Sequence, residues 1–167
     1  MILGLMDQPP IIHYKRARFV AKLPADRLYT PWHFWIAPAG EGLWRVGFTD
    51  FALRMLGELV EHGFSLKDGD AVKLGQTVGW VEGFKALTDL YSVVEGEFAG
   101  GNPAIEKDIT LIDSDPYGQG WLYAVRGRPD PKAVDAQAYT GMLDATIDRM
   151  KETWEPEGPE IGPKQCH

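Results

Sequence analysis

The chain has 167 residues and a formal net charge of −7 at pH 7. This length suits one domain with a core of its own, and the negative charge argues against nucleic acid or an anionic membrane as the main partner. The single cysteine, Cys166, excludes an internal disulfide, and no apolar run reaches the roughly 18 residues of a membrane span. We therefore expect a soluble, cytoplasmic protein that docks with other proteins.

Turn-forming residues are scattered along the whole chain, with 19 glycines and 12 prolines. This distribution favours many short strands joined by turns. Residues 1–27 are predicted to be an N-terminal extension, and they contain the basic cluster HYKRAR at 13–18. A solvated strand or arm is the ordinary interpretation of such a cluster, and a docking arm for an acidic partner is the alternative.

Two aromatic-rich segments, 32–37 and 43–48, flank the turn sequence PAGEG and predict a β-hairpin. The pattern then changes to a helical period. Thr49 or Asp50 is expected to cap this helix, and Gly57 or Gly63 to end it. The apolar residues at helical spacing are Phe51, Ala52, Met55, Leu56 and Leu59.

Residues 78–83 alternate as in a strand, and residues 87–94 are predicted to pair with them through a short connection at 84–86. Another strand is predicted at 121–125, after the turn-rich DSDPYGQG. A helix is expected from Pro131 to Trp154, followed by a disordered tail at 155–167. One helical stripe is assigned to Val134, Ala138 and Met142, and a second to Met150 and Trp154.

Groups that could perform catalysis are scarce. The histidines at 13, 33, 62 and 167 lack the spacing of a metal site, so no metal is predicted. The chain has no G-x-S-x-G nucleophile elbow and no cysteine in its predicted folded part. Spacing alone does not decide whether its carboxylates pair as in a hydrolase. The sequence favours a protein that is not itself an enzyme.

Lys85 is the exceptional residue in this census. It lies in EGFKALTDLY at 82–91 and is the only lysine or arginine between Lys73 and Lys107. Glu82 and Asp89 flank it. Most lysines in β-turns are solvated charges, but this one is predicted at the tip of a two-stranded stalk, where a modifying enzyme can reach its amine.

The stretch VEGFKALTDLYS at 81–92 resembles the lipoylation hairpin of glycine cleavage system H proteins, usually V-E-S-V-K-A-x-S-D-x-Y. Three more blocks resemble family patterns in family order, and together the four cover roughly residues 28–145. The blocks are YTPWHFW at 29–35, VGFTDFALRMLGELV at 46–60 and DSDPYGQGWL at 113–122.

The resemblance implies a mainly β fold with short helices: a hybrid β-sandwich or barrelled lipoyl domain over residues 28–154, ending in a C-terminal helix. It implies that lipoic acid is joined to Lys85 by an amide, so that the protein is a carrier and the cofactor supplies the chemistry. A biotin carrier would normally have Met on both sides of the lysine, whereas Phe84 and Ala86 flank Lys85 here, which favours a lipoyl carrier over a biotin carrier. Residues implied in recognition and docking of the hairpin are Glu82, Gly83, Phe84, Ala86 and Asp89.

The resemblance also implies a pocket for the loaded arm, formed by Trp32, His33, Phe34, Phe48 and Met55. H proteins use a glutamate of their H-E-W block in this pocket, and here that position is Phe34. Because a buried cationic amine needs an anion or acceptor, this change favours a neutral or sulfur-bearing cargo over an aminomethyl group.

One branch of lipoate-binding proteins resembles H proteins, has E-G-F-K-A loops and serves heterodisulfide-reductase-like sulfur oxidation. The leading hypothesis is membership of this branch. It implies as partners a lipoate ligase or lipoyl synthase-type assembly enzymes, a heterodisulfide-reductase-like complex and dihydrolipoamide dehydrogenase. The alternatives are a true H protein, which would work with the glycine cleavage enzymes, and an unmodified H-like domain that serves only as a binding scaffold.

Overall fold

The computed structural model describes residues 9–153, which contain eleven strands and four helices. None of these helices has the length and apolarity needed to cross a membrane. Trp154 and the tail predicted to be disordered at 155–167 lie outside the described residues, as do residues 1–8 of the predicted N-terminal extension.

The strands are β1 (Ile11–Arg16), β2 (Phe19–Pro24), β3 (Leu28–Tyr29), β4 (Phe34–Pro38), β5 (Leu43–Phe48), β6 (Leu59–Phe64), β7 (Ala71–Val72), β8 (Thr77–Gly83), β9 (Leu87–Tyr91), β10 (Val94–Gly101) and β11 (Tyr123–Pro129). The helices are α1 (Asp50–Leu56), α2 (Pro103–Lys107), α3 (Thr110–Ser114) and α4 (Ala136–Thr153).

The strands form three open antiparallel sheets, which confirms the mainly β fold. Six strands pair in the order β3-β4-β5-β11-β10-β7, three in the order β6-β8-β9, and β1 pairs only with β2. The main core joins side chains of the six-stranded sheet, such as Ile36 and Val46, to those of the three-stranded sheet, such as Val81 and Leu90. A second core lies under α4 and includes Leu23 of β2.

Helix α1 has the predicted caps at both ends. The Thr49 hydroxyl accepts a hydrogen bond from the Ala52 amide at 3.3 Å, and Gly57, with φ of 75°, ends the helix. The inclusion of Leu59 in this helix was wrong, because Leu59 begins β6. Leu59 is buried as part of β6, so its spacing of three residues from Leu56 does not reflect a shared helix.

Helix α4 begins five residues later than predicted, because the residues before it form a bridge to β3. The Val134 and Tyr29 backbones exchange hydrogen bonds of 2.7 and 2.8 Å. The predicted stripe through Ala138 was wrong, since Ala138 is exposed. The prediction counted the helical period from Val134, which lies outside the helix, and therefore assigned the wrong residues to the buried face. The buried stripe is Ala136, Tyr139, Leu143 and Ile147.

The two predicted hairpins are present as β4–β5 and β8–β9. Strand β11 is displaced toward the C-terminus from the predicted 121–125, and the two short helices α2 and α3 had no prediction. Asn102 starts α2 by accepting a hydrogen bond from the Ala104 amide at 2.9 Å.

Candidate functional site

Lys85 lies in the loop that joins β8 to β9. The Gly83 amide donates to the Ala86 carbonyl at 2.8 Å and closes this loop. Two further amides attach the loop to the segment at the end of α1: Phe84 donates to the Glu58 carbonyl and Lys85 to the Leu56 carbonyl, both at 2.9 Å. The lysine is therefore carried by a backbone held at three points.

The Lys85 ammonium group has a neutral partner. Its Nζ donates to the Arg54 carbonyl at 3.2 Å. The last carbonyls of a helix lack intrahelical partners and carry partial negative charge, so a cation is favourable there. Within residues 9–153 no carboxylate forms an ion pair with Lys85. Glu82 and Asp89 are exposed beside the loop rather than paired with it.

A pocket of about 430 Å³ adjoins the lysine loop. Its lining comes from the segment before β4, from β4, β5 and α1, and from the lysine loop and β9. All five residues predicted for the arm pocket contribute to it. The lining residues are Pro31, Trp32, His33, Phe34, Phe48, Ala52, Met55, Leu56, Ala86, Leu87, Thr88, Asp89 and Tyr91.

The interior of this pocket is apolar. Phe34 and Phe48 are buried on neighbouring strands, and their rings stack with centroids 5.5 Å apart. Trp32 forms the rim and packs at 5.3 Å against Tyr91. Asp89, which is exposed, is the one acidic side chain among the described lining residues. The pocket suits an apolar chain better than a buried cation.

His33 adds an uncharged polar group to the wall. Its Nδ1 lies 2.6 Å from the Tyr139 hydroxyl, which lies 3.1 Å from the Thr49 hydroxyl. Burial lowers the pKa of His33 to about 4, so the ring is neutral at pH 7. The backbone of His33 is left-handed, with φ of 71°. This strained conformation is held by Thr49, whose amide donates to the His33 carbonyl at 3.1 Å.

Sequence reasoning missed several lining residues. Period-two alternation places Leu87, Asp89 and Tyr91 on one face of β9, so Leu87 and Tyr91 were predictable once Asp89 was chosen. Leu56 was recognised only as a core residue of α1. Tyr139, which bonds to His33 and does not itself line the pocket, could not be found, because the wrong phase for α4 put a different stripe toward the core.

Comparison with known proteins identifies the family. The Glycine cleavage H-protein family profile matches residues 27–145. The glycine cleavage system H protein of Alteromonas mediterranea is 37% identical over 127 residues, which cover 75% of this chain and 92% of that protein. The H protein of Mycobacterium bovis is 36% identical over 126 residues, or 75% and 93%.

A crystal structure of a glycine cleavage system H protein from Mycobacterium marinum is also similar. It matches with a TM-score of 0.66 and 36% identity, over 73% of this chain and 99% of that one. The fold and the similar proteins define a carrier protein of the lipoyl type. The chain belongs to the glycine cleavage H-protein family. H proteins are non-catalytic and carry lipoate covalently attached to a lysine.

Proposed function

We propose that Lys85 is the lipoyl attachment residue and that the chain is a lipoyl carrier. The observation that carries this proposal is the position of Lys85: an exposed amine on a hairpin tip whose adjoining residues line an apolar pocket of about 430 Å³. An attached acyl chain with an apolar end fits such a pocket. The family match at 27–145 supports residues 28–154 as the carrier domain.

Attachment requires only an accessible amine on this protein. The Lys85 nitrogen, after loss of a proton, bonds to the carboxyl carbon of lipoate that a ligase has activated with ATP, and adenylate leaves. The positive charge on Nζ disappears, while one N–H remains as a donor. The bound lipoyl group would supply the dithiol chemistry. Glu82, Phe84, Ala86 and Asp89 are exposed around the amine and form the surface that a ligase would recognise. Gly83, also predicted for recognition, is buried against the end of α1 and would contribute only through the conformation of the loop.

The better supported cargo is the aminomethyl group, carried between the glycine cleavage enzymes, because the similar proteins are named as H proteins of that system. A lipoate-handling enzyme would act before them, and dihydrolipoamide dehydrogenase after them. Exposed Asp89 is the carboxylate available to a cationic cargo among the described pocket residues.

A neutral or sulfur-bearing cargo is the second candidate. One observation favours it: Phe34, which stands where H proteins have the glutamate of their H-E-W block, stacks on Phe48 in the pocket lining. A heterodisulfide-reductase-like partner remains a hypothesis that rests on this apolar lining. It has no support from the similar proteins named above.

Mass spectrometry tests the carrier proposal directly. Unmodified protein is incubated with lipoate ligase, ATP and lipoate, and peptide mapping locates the added mass. We expect one lipoyl group, on Lys85. Complete lack of modification here, and on protein from the native host, would leave the binding scaffold as the remaining hypothesis.

Loading the lipoylated protein then separates the two cargoes. Glycine decarboxylase and glycine should transfer an aminomethyl group to the arm if the chain serves glycine cleavage. The H protein of Alteromonas mediterranea provides the positive control. If that control loads and this chain does not, the glycine cleavage proposal is wrong, whereas the lipoylation result stands.

A further inference from the structure

The lysine loop and the end of α1 touch backbone to backbone at Gly83. A Cβ atom on Gly83 would overlap the Leu56 carbonyl oxygen, and it would lie 2.9 Å from the Leu56 carbonyl carbon and 3.2 Å from the Gly57 oxygen. These atoms belong to the main chain, so they cannot rotate aside as a flexible side chain would. With the backbone of this chain, a side chain at position 83 therefore requires the loop and the end of the helix to move apart.

Gly57 is the matching residue on the helix side. Its Cβ would lie 2.9 Å from Lys85 Cγ and 3.2 Å from the Lys85 amide nitrogen. Its positive φ of 75° already disfavours other residues. We call the approach of residues 83–85 to residues 56–58 the loop–helix contact. A glycine on each side makes it close enough for the amides of Phe84 and Lys85 to reach carbonyls at 2.9 Å.

The loop–helix contact also joins two parts of the pocket lining. Leu56 lines the pocket from α1, and Ala86 and most of β9 line it from the lysine hairpin. A shift of the loop therefore changes both the distance between these two parts and the point from which the Lys85 side chain leaves. The shape of the pocket and the position of Lys85 therefore both depend on this one backbone contact.

We propose that Gly83 is a positioning residue: by lacking a side chain, it fixes Lys85 against α1 at the distance at which the adjoining pocket retains the far end of the attached arm. This proposal rests on the proposed lipoylation of Lys85. Gly83 itself touches neither the amine nor the cargo. Its effect is on arm retention and not on attachment, since Lys85 is exposed and remains reachable in a displaced loop.

The test uses Gly83→Ala in the full chain, with Gly141→Ala as the matched control. Gly141 is exposed on α4, and a Cβ there would meet nothing within 4 Å. Both variants and the wild type are lipoylated to completion, reduced to the dithiol and treated with a small neutral maleimide. Free dihydrolipoamide gives the rate for an arm that nothing retains.

We expect both variants to be lipoylated like the wild type. Alkylation of the dithiol should be at least about fivefold faster in Gly83→Ala than in the wild type, because overpacking of a rigid contact is relieved by moving the loop. Gly141→Ala should match the wild type. Equal rates in Gly83→Ala and the wild type, or a wild-type rate equal to that of free dihydrolipoamide, would overturn the proposal.

Amide hydrogen exchange on the unmodified wild type gives a second readout that needs neither the variant nor lipoate. The Phe84 and Lys85 amides should exchange more slowly than in a peptide of residues 81–88, because both donate to backbone carbonyls. Unprotected amides would overturn the proposal even if Gly83→Ala failed to fold. If the wild type were never lipoylated, the proposed function would fail, and exchange alone would decide whether the loop–helix contact exists.

Discussion

Two hairpins present basic residues in this molecule, and they are attached to the body in different ways. In β1–β2 the contacts to helix α4 are made by side chains. Arg16 donates from Nε and Nη2 to the Asp148 carboxylate at 3.0 and 2.9 Å, and the Tyr14 hydroxyl donates to Asp144 at 2.7 Å. Burial raises the pKa of Tyr14, with the Asp144 hydrogen bond as the next cause. The other side of this attachment is helix α4.

In β8–β9 the contacts at the tip are made by the backbone, and Lys85 has a carbonyl oxygen as its partner. Phe84 and Leu87 are 75% and 70% exposed, so apolar surface surrounds the amine. The two hairpins therefore differ in whether a basic residue can lose its positive charge without leaving an unpaired carboxylate. Acylation of Lys85 removes a charge without stranding a carboxylate, whereas any loss of the Arg16 charge would leave Asp148 without its partner.

The largest predicted effect is on the amine itself. Lys85→Arg should abolish lipoylation, because a guanidinium group does not form the amide, while the thermal midpoint stays at the wild-type value. Lys15→Arg in the β1–β2 hairpin is the control and should be lipoylated normally. Intact mass after ligase treatment gives the answer, and a lipoyl group on the Lys85→Arg variant would mean that the attachment residue has been misassigned.

A core substitution in β1–β2 should have the opposite signature. Leu23 is fully buried, so Leu23→Ala should lower the free energy of unfolding by about 2–5 kcal/mol, as measured by urea titration. Lipoylation of the folded fraction should be unchanged. Val20→Ala is the control, because Val20 is 65% exposed and its truncation should cost less than about 0.5 kcal/mol. Impaired lipoylation of folded Leu23→Ala would show that the two hairpins are coupled.

His33 links the pocket to α4, and its lowered pKa makes this link sensitive to pH. The folded pKa is about 4 and the unfolded value 6.5, so the unfolded chain binds more protons between these values. The contribution of His33 to stability is complete above pH 6.5 and is lost as pH falls toward 4, by up to about 3 kcal/mol. We expect the free energy of unfolding of the His33→Asn variant to lack this decrease between pH 6.5 and pH 4.

Urea titrations between pH 4 and pH 7 measure the effect as a difference between variant and wild type. Subtracting the variant's free energy of unfolding from that of the wild type cancels the contribution of carboxyls such as Asp50, whose pKa is raised by burial, and leaves the contribution of His33. Asn is chosen because it tolerates positive φ better than most residues. His13→Asn is the control, since His13 is exposed on β1. Parallel pH profiles for wild type and His33→Asn would contradict the assigned pKa.

The smallest effect is predicted for the ion pair that distinguishes β1–β2. Arg16 and Asp148 are 40% and 47% exposed at their side chains. Arg16→Met should therefore destabilise the protein only slightly, and 1 M salt should reduce that cost. A double-mutant cycle with Asp148→Asn isolates the pair. A coupling as large as the loss caused by Leu23→Ala would mean that side-chain pairing, and not the buried face, holds the hairpin.

Local patterns predicted much of the site. Alternation in β8 and the short connection at 84–86 placed Lys85 at a hairpin tip, and the caps Thr49 and Gly57 set both ends of α1. Leu59 and Ala138 show the limit of such patterns. The apolar residues keep a helical spacing past Gly57, but the helix itself ends there. The start of α4 depends on a bridge between Val134 and Tyr29 that no local pattern reveals.

The sequence by itself determined that one amine stands at the end of a hairpin, because strand alternation and turn chemistry act over a few residues. Only the tertiary structure decided that this hairpin rests on the carbonyls of α1, that Phe34 and Phe48 stack beneath it, and that Tyr139 reaches His33 from the C-terminal helix. These contacts join residues up to 106 positions apart. They exist because the sheets and α4 pack around shared cores, and packing at that range leaves no periodic signal in the sequence.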